Sequence, residues 1–200
     1  MTGPEHEPLS SPEAAGSTEV DPARPAPRIY VASLSDYNAG RLHGEWIDAS
    51  QEFEDIERAV KHMLARSPTP GAEEYAIHDH EGFGPLNIDE YLPLRAVARL
   101  AIGIAQHGAA FAAWAHGLDS VHLTDDYLDR FEEFYVGTFD SMLEFAQEQL
   151  DSWGIDFEEI GPEPLRPYIR FDLTAYARDL SYDHRIQTDP EGQVHVFNVE

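Results

Sequence analysis

The chain has 200 residues, 42% of them hydrophobic and 11% aromatic, and its 38 acids against 13 bases give a formal charge of −25. That apolar fraction can bury a core, so the acidity is not a mark of general disorder. The charge argues against nucleic-acid binding, which needs cations facing phosphates, and no cysteine is present, which excludes disulfide scaffolds, Cys-ligated zinc and thiol chemistry.

Residues 1–27 contain six of the fourteen prolines with Gly, Ser and Glu, the composition of a disordered leader. Its opening "MTGPEHEPLS" has neither the basic nor the apolar stretch of a secretory signal, and a cytoplasmic location is expected. Beyond it 33 acids and 12 bases remain, so the acidity belongs to the folded part. "RIYVASL" predicts a strand, "SDYNAG" a turn and "RLHGEWIDA" a second strand of the same hairpin. Ser50 is placed to cap a helix in which Phe53, Ile56, Val60 and Leu64 recur at helical spacing. "SPTPGA" ends it, and "EEYAIHD" predicts a third strand. These elements make an α+β unit over residues 28–91.

From Leu92 the pattern turns helical, with Val97, Leu100, Ile104, Phe111 and Leu118 in one stripe and Gly103 and Gly108 allowing close packing or a break. Arg99, Gln106 and His107 interrupt this apolar run, which marks a buried helix and not a membrane span. Thr124 is a plausible cap for a following helix, and residues 92–133 form the central unit. "EFYVGTF" then predicts a short strand. "SMLE" is a capping box that opens a helix running to Trp153, and Pro167 suits the start of another helix over "YIRFDLTAYARDL". "QVHVFNV" closes a third unit, residues 134–200. The expected class is α+β in three small domains: an antiparallel sheet with a helix, a helical centre, and a second α+β part.

Chemistry at a defined site finds little support. His78 and His80 in "HDHE" point the same way on an ideal strand, as a two-His metal site requires, but a third ligand at fixed spacing is missing. No GxSxG, P-loop, GxGxxG or calcium-loop pattern occurs, and no pair of carboxylates is set apart for acid–base work. Neither an enzyme nor a metal or other cofactor is expected.

The carboxylates themselves are the signal. Residues 119–163 hold fourteen acids with Arg130 as the one fixed cation. Glu144, Glu148 and Asp151 fall on one stripe of the helix from Ser141, opposite Phe145, Ala146 and Leu150. Asp125, Asp129, Glu132 and Glu133 form a similar stripe opposite Leu128 and Phe131. Solvated faces usually intermix Lys with Glu, whereas acids spaced four apart repel by about 0.2–0.5 kcal/mol per pair. Along a helix such acids recur about every 5–6 Å, against one phosphate per about 3.4 Å on each DNA strand. Adjacent acidic elements therefore approach the charge density of a duplex. The candidate phosphate mimics are Asp119, Asp125, Asp126, Asp129, Glu132, Glu133, Asp140, Glu144, Glu148, Asp151, Asp156, Glu158 and Glu159. A salt-adapted protein, or an acidic interaction module with an unrelated basic partner, accounts for the same composition; Lys61 is the sole lysine.

Four stretches in order, "YVASLSDYNAGRLHGEWIDA" (30–49), "EEYAIHDHEGFG" (73–84), "FYVGTFDSMLEFAQEQL" (134–150) and "YIRFDLTAYARDL" (168–180) with the closing "VHVFNV", resemble the ArdA antirestriction family. The resemblance spans residues 28–200. It implies an elongated three-domain homodimer without catalytic residues, which imitates bent B-form DNA and occupies the DNA groove of type I restriction–modification enzymes. It also implies domain boundaries near Leu92 and Phe134.

Overall fold

The computed structural model describes residues 25–118, 122–154 and 160–199. The fold is α+β, with helices around two three-stranded antiparallel sheets ordered β2-β1-β3 and β4-β6-β5. In the first sheet, β1 (Arg28–Ser33) lies between β2 (Gly44–Asp48) and β3 (Tyr75–Glu81), burying Ile29 and Val31. The stretch expected as a turn contains a short helix, α1 (Leu34–Asn38). It forms because the Ser33 hydroxyl accepts the Asp36 N–H at 3.3 Å and satisfies a donor at the helix start. Gly40, at φ 73°, then turns the chain toward β2.

Helix α2 (Phe53–Ala65) buries Ile56, Val60 and Met63 against the sheet. Its cap is Glu52, not Ser50, whose N–H and hydroxyl both donate to Asp48 Oδ1 at 2.8 and 2.6 Å. Ser50 stands two residues before the cap position of a helix that starts at Phe53, and its hydroxyl is turned to the Asp48 carboxylate instead.

Helix α3 (Leu94–His116) is long and apolar enough to cross a bilayer by length and composition, yet Val97, Leu100, Phe111 and Trp114 are core residues here. Both of its predicted glycines matter. Gly108 takes φ 64°, ψ −143°, a region closed to side chains, and kinks the helix. The kink turns Phe111 back onto Gly103, where a Cβ would lie 2.2 Å from the ring. The helix expected after Thr124 is two single turns, α4 (Asp125–Leu128) and α5 (Phe131–Phe134). Bonds such as Arg130 N–H to Tyr127 O and Glu133 N–H to Arg130 O tighten the chain between them.

The second sheet contains β4 (Tyr135–Phe139), β5 (His184–Thr188) and β6 (Val194–Asn198). Helices α6 (Met142–Trp153) and α7 (Leu173–Asp183) pack together beside it. Strand β5 escaped the sequence pattern because none of its residues is fully buried, so "HRIQT" shows no apolar alternation. Pro167 lies in a 3-10 turn, Arg166–Tyr168, while α7 begins later, where Asp172 accepts the Ala175 N–H at 2.9 Å. A carboxylate cap at Asp172 fixes the start of α7 more strongly than a proline upstream. One apolar core runs from Ile29 through α2 and α3 to Phe134 and includes Phe197. A smaller one joins Phe139, Phe145, Val194 and Val196.

Candidate target-binding surface

Apolar anchors set the orientation of the acidic stretch. Phe131 and Phe134 pack on Trp114, Leu128 is buried in the same core, Phe145 is buried in the second core, and Ala146 and Leu150 are buried beside it on α6. The intervening acids therefore face outward. Asp126, Asp129, Glu132, Glu133, Asp140, Glu144, Glu148 and Asp151 are exposed, and Asp125 is half-buried. Asp119, Asp156, Glu158 and Glu159 lie outside the described residues.

The expected freedom from cations does not extend to every acid. Arg99 on α3 pairs with Asp129 and lies 3.7 Å from Asp125, which Arg95 approaches at 3.9 Å. Arg130 holds Glu133 at 2.9 Å while its guanidinium stacks on Phe134, 4.8 Å from the ring centre. Arg95 and Arg99 stand four apart in the sequence, but their reach onto α4 depends on how α3 packs. Asp126, Glu132, Glu144 and Glu148, by contrast, meet no base among the described residues.

On α6 the capping box forms with a shifted partner. Ser141 Oγ accepts the Glu144 N–H at 3.2 Å, while Glu144 Oε2 accepts the Asp140 N–H at 2.5 Å. Asp140 Oδ1 receives Gln193 Nε2 at 2.8 Å, which ties the acid to the β5–β6 hairpin. Asp151 Oδ1 receives Gln147 Nε2 at 2.8 Å. These neutral donors orient carboxylates without cancelling their charge. Exposed acids of the first unit, Glu73, Glu74, Asp79, Asp89 and Glu90, also lack an ion pair among the described residues. Sequence periodicity does not mark them, because they fall on loops and, for Asp79, on strand β3, with no helical period.

His78 and His80 are separated by a bulge. Tyr30 pairs with Asp79 and Val31 with Ile77, which leaves His78 as the extra residue and breaks the alternation. His78 meets the edge of Tyr37, whereas His80 packs on Phe83 and its Nε2 accepts the Ile88 N–H at 3.4 Å. Among the described residues no three metal-binding side chains converge.

Buried polar groups serve the scaffold. Asp36 accepts Thr69 Oγ1 at 2.6 Å and Arg41 Nη2 at 3.1 Å, and Ser67 also donates to it. Burial alone would raise its pKa, but the hydrogen bonds of Ser67, Thr69, Ser33 and Arg41 together hold the carboxyl well below the usual carboxylate range. His195 bridges Thr138 Oγ1 at 2.7 Å and Asp189 Oδ2 at 3.3 Å, joining β4 to the hairpin loop. The arrangement as a whole offers a partner a field of carboxylates.

No curated protein matches the chain. The family model described as "Antirestriction protein (ArdA)" matches residues 29–195, from β1 into β6. This protein therefore belongs to the ArdA antirestriction family, whose members inhibit restriction enzymes and are not known as enzymes themselves.

Proposed function

We propose that the protein is a DNA mimic that occupies the DNA-binding groove of type I restriction–modification enzymes. The observation that carries this reading is the outward set of carboxylates on α4, α5 and α6, of which Asp126, Glu132, Glu144 and Glu148 meet no base among the described residues. Glu144 and Glu148 stand four apart on one helix, a like-charge pair that costs about 0.2–0.5 kcal/mol in an isolated helix. Basic residues that normally hold phosphates would relieve that repulsion, and the shared surface makes DNA a competitor. The protein works in the cytoplasm as a homodimer, which doubles the charged track, and it does not itself bind nucleic acid.

The decisive experiment is competition between this protein and a DNA duplex for a purified type I enzyme, run across a salt series. Competitive displacement that weakens steeply with salt is expected. Binding that leaves DNA in place, or that ignores salt, overturns the reading in favour of an acidic module with an unrelated basic partner.

A further inference from the structure

Arg185 has an unusual setting for so acidic a chain. Most described bases pair with a carboxylate, whereas Arg166, Arg170 and Arg185 reach none among the described residues. Arg166 and Arg170 are exposed to water, whereas Arg185 is half-buried. Its Nε is buried without a hydrogen-bond partner, and burial pulls its pKa down. A cation partly withdrawn from water without a counter-ion is destabilised unless other groups compensate.

Two groups do so, and they come from different parts of the fold. Nη2 donates to Trp114 O at 2.7 Å, one of the last carbonyls of α3, where the helix end carries partial negative charge. The guanidinium also lies over Phe197, 5.2 Å from the ring centre, with Phe197 directly opposite Arg185 in the β5–β6 register. Phe197 in turn reaches Phe131 at 6.4 Å and belongs to the main core. Both contacts are directional. A planar fork must face the helix end while its face covers the ring, and few orientations of the second sheet satisfy both.

We propose that Arg185 is a positioning residue that fixes the second sheet against the end of α3, and so orients the acids of α6 relative to those of α4 and α5. Its link to inhibition rests on the DNA-mimic reading above; its effect on geometry does not.

The absence of native cysteine allows a direct test. Lys61→Cys on α2 and Leu143→Cys on α6, both exposed, take a pair of spin labels. Arg185→Ala is expected to shift or broaden the label distance while helix content stays unchanged. Inhibition of a type I enzyme by the full-length variant should fall roughly tenfold. Arg185→Lys keeps a donor for Trp114 O but loses the planar stack, and should restore the distance in part. If Arg185→Ala does not fold, Gly117→Ala carries the test, since its Cβ would stand 3.1 Å from Nη1 and 3.3 Å from Cζ and press the guanidinium off its place by a few tenths of an ångström, while Gln187 Nε2, at 3.5 Å, stays in ordinary contact. Unchanged distances in a folded variant overturn the proposal. Shifted distances with full inhibition refute the link to the acidic track and leave the DNA-mimic reading intact. An unmodified protein that displaces no DNA fails that reading and leaves the distance test standing.

Discussion

Asp125, Asp129 and Glu133, unlike Asp126, Glu132, Glu144 and Glu148, have a guanidinium already beside them. A carboxylate whose charge is already offset within its own chain attracts a cation of the target less strongly. Replacing Asp126, Glu132, Glu144 and Glu148 together by Asn and Gln should therefore weaken inhibition more than replacing the three paired acids. The measurement is the inhibition constant at two salt concentrations, and equal losses for both sets would count against phosphate mimicry by the free acids. Asp36 belongs to the scaffold and behaves differently. Because its folded pKa is depressed, its stabilising contribution is complete above about pH 4, the unfolded value, and declines as pH falls through the folded one. Asp36→Asn should lower the melting temperature at neutral pH, with the gap to the native protein closing in strong acid and inhibition little changed where both are folded.

Among the elements, α3 is the one on which the rest depends. Its kink brings Phe111 over Gly103 and Trp114 toward Tyr127, Phe131 and Phe134. Gly108→Ala places a side chain in a backbone conformation that only glycine adopts readily, and should cost about 1–3 kcal/mol in chemical denaturation. Gly103→Ala overpacks against the Phe111 ring and should cost a similar amount, about 1–3 kcal/mol. Straightening the helix would also withdraw Arg99 from Asp129, so Gly108→Ala is expected to alter the α4–α5 surface as well as stability. Loss of the Asp129 contact is readable as a change in hydrogen exchange over residues 125–134.

At the scale of the whole molecule the net charge of −25 acts in two directions. Salt screens self-repulsion and should raise the melting temperature, while the same screening weakens attraction to a basic groove. Opposite salt trends for stability and inhibition, measured on one preparation, are the expected signature. If the acids stand in for phosphates, neutralising Asp126, Glu132, Glu144 and Glu148 together should flatten the logarithmic dependence of binding on salt by about four, one per lost ionic contact. An unchanged slope would show that those acids never meet cations of the target.

Much of this protein was written locally along the chain. Alternation in "RIYVASL", the Ser141–Glu144 pair and the apolar period of α2 specify elements whose neighbours in sequence supply the deciding interactions, and the structure contains them. The α6 acids likewise face water because Phe145, Ala146 and Leu150 leave them no other side. What needed the tertiary structure depended on groups far apart in the chain. Strand β5 exists because β6 pairs with it, Arg95 and Arg99 cancel acids some thirty residues away, and Arg185 finds its carbonyl 71 residues upstream. Periodicity reports which face of an element is apolar; it carries no information about which distant charge that face will meet, because that is set only when the helices and sheets pack.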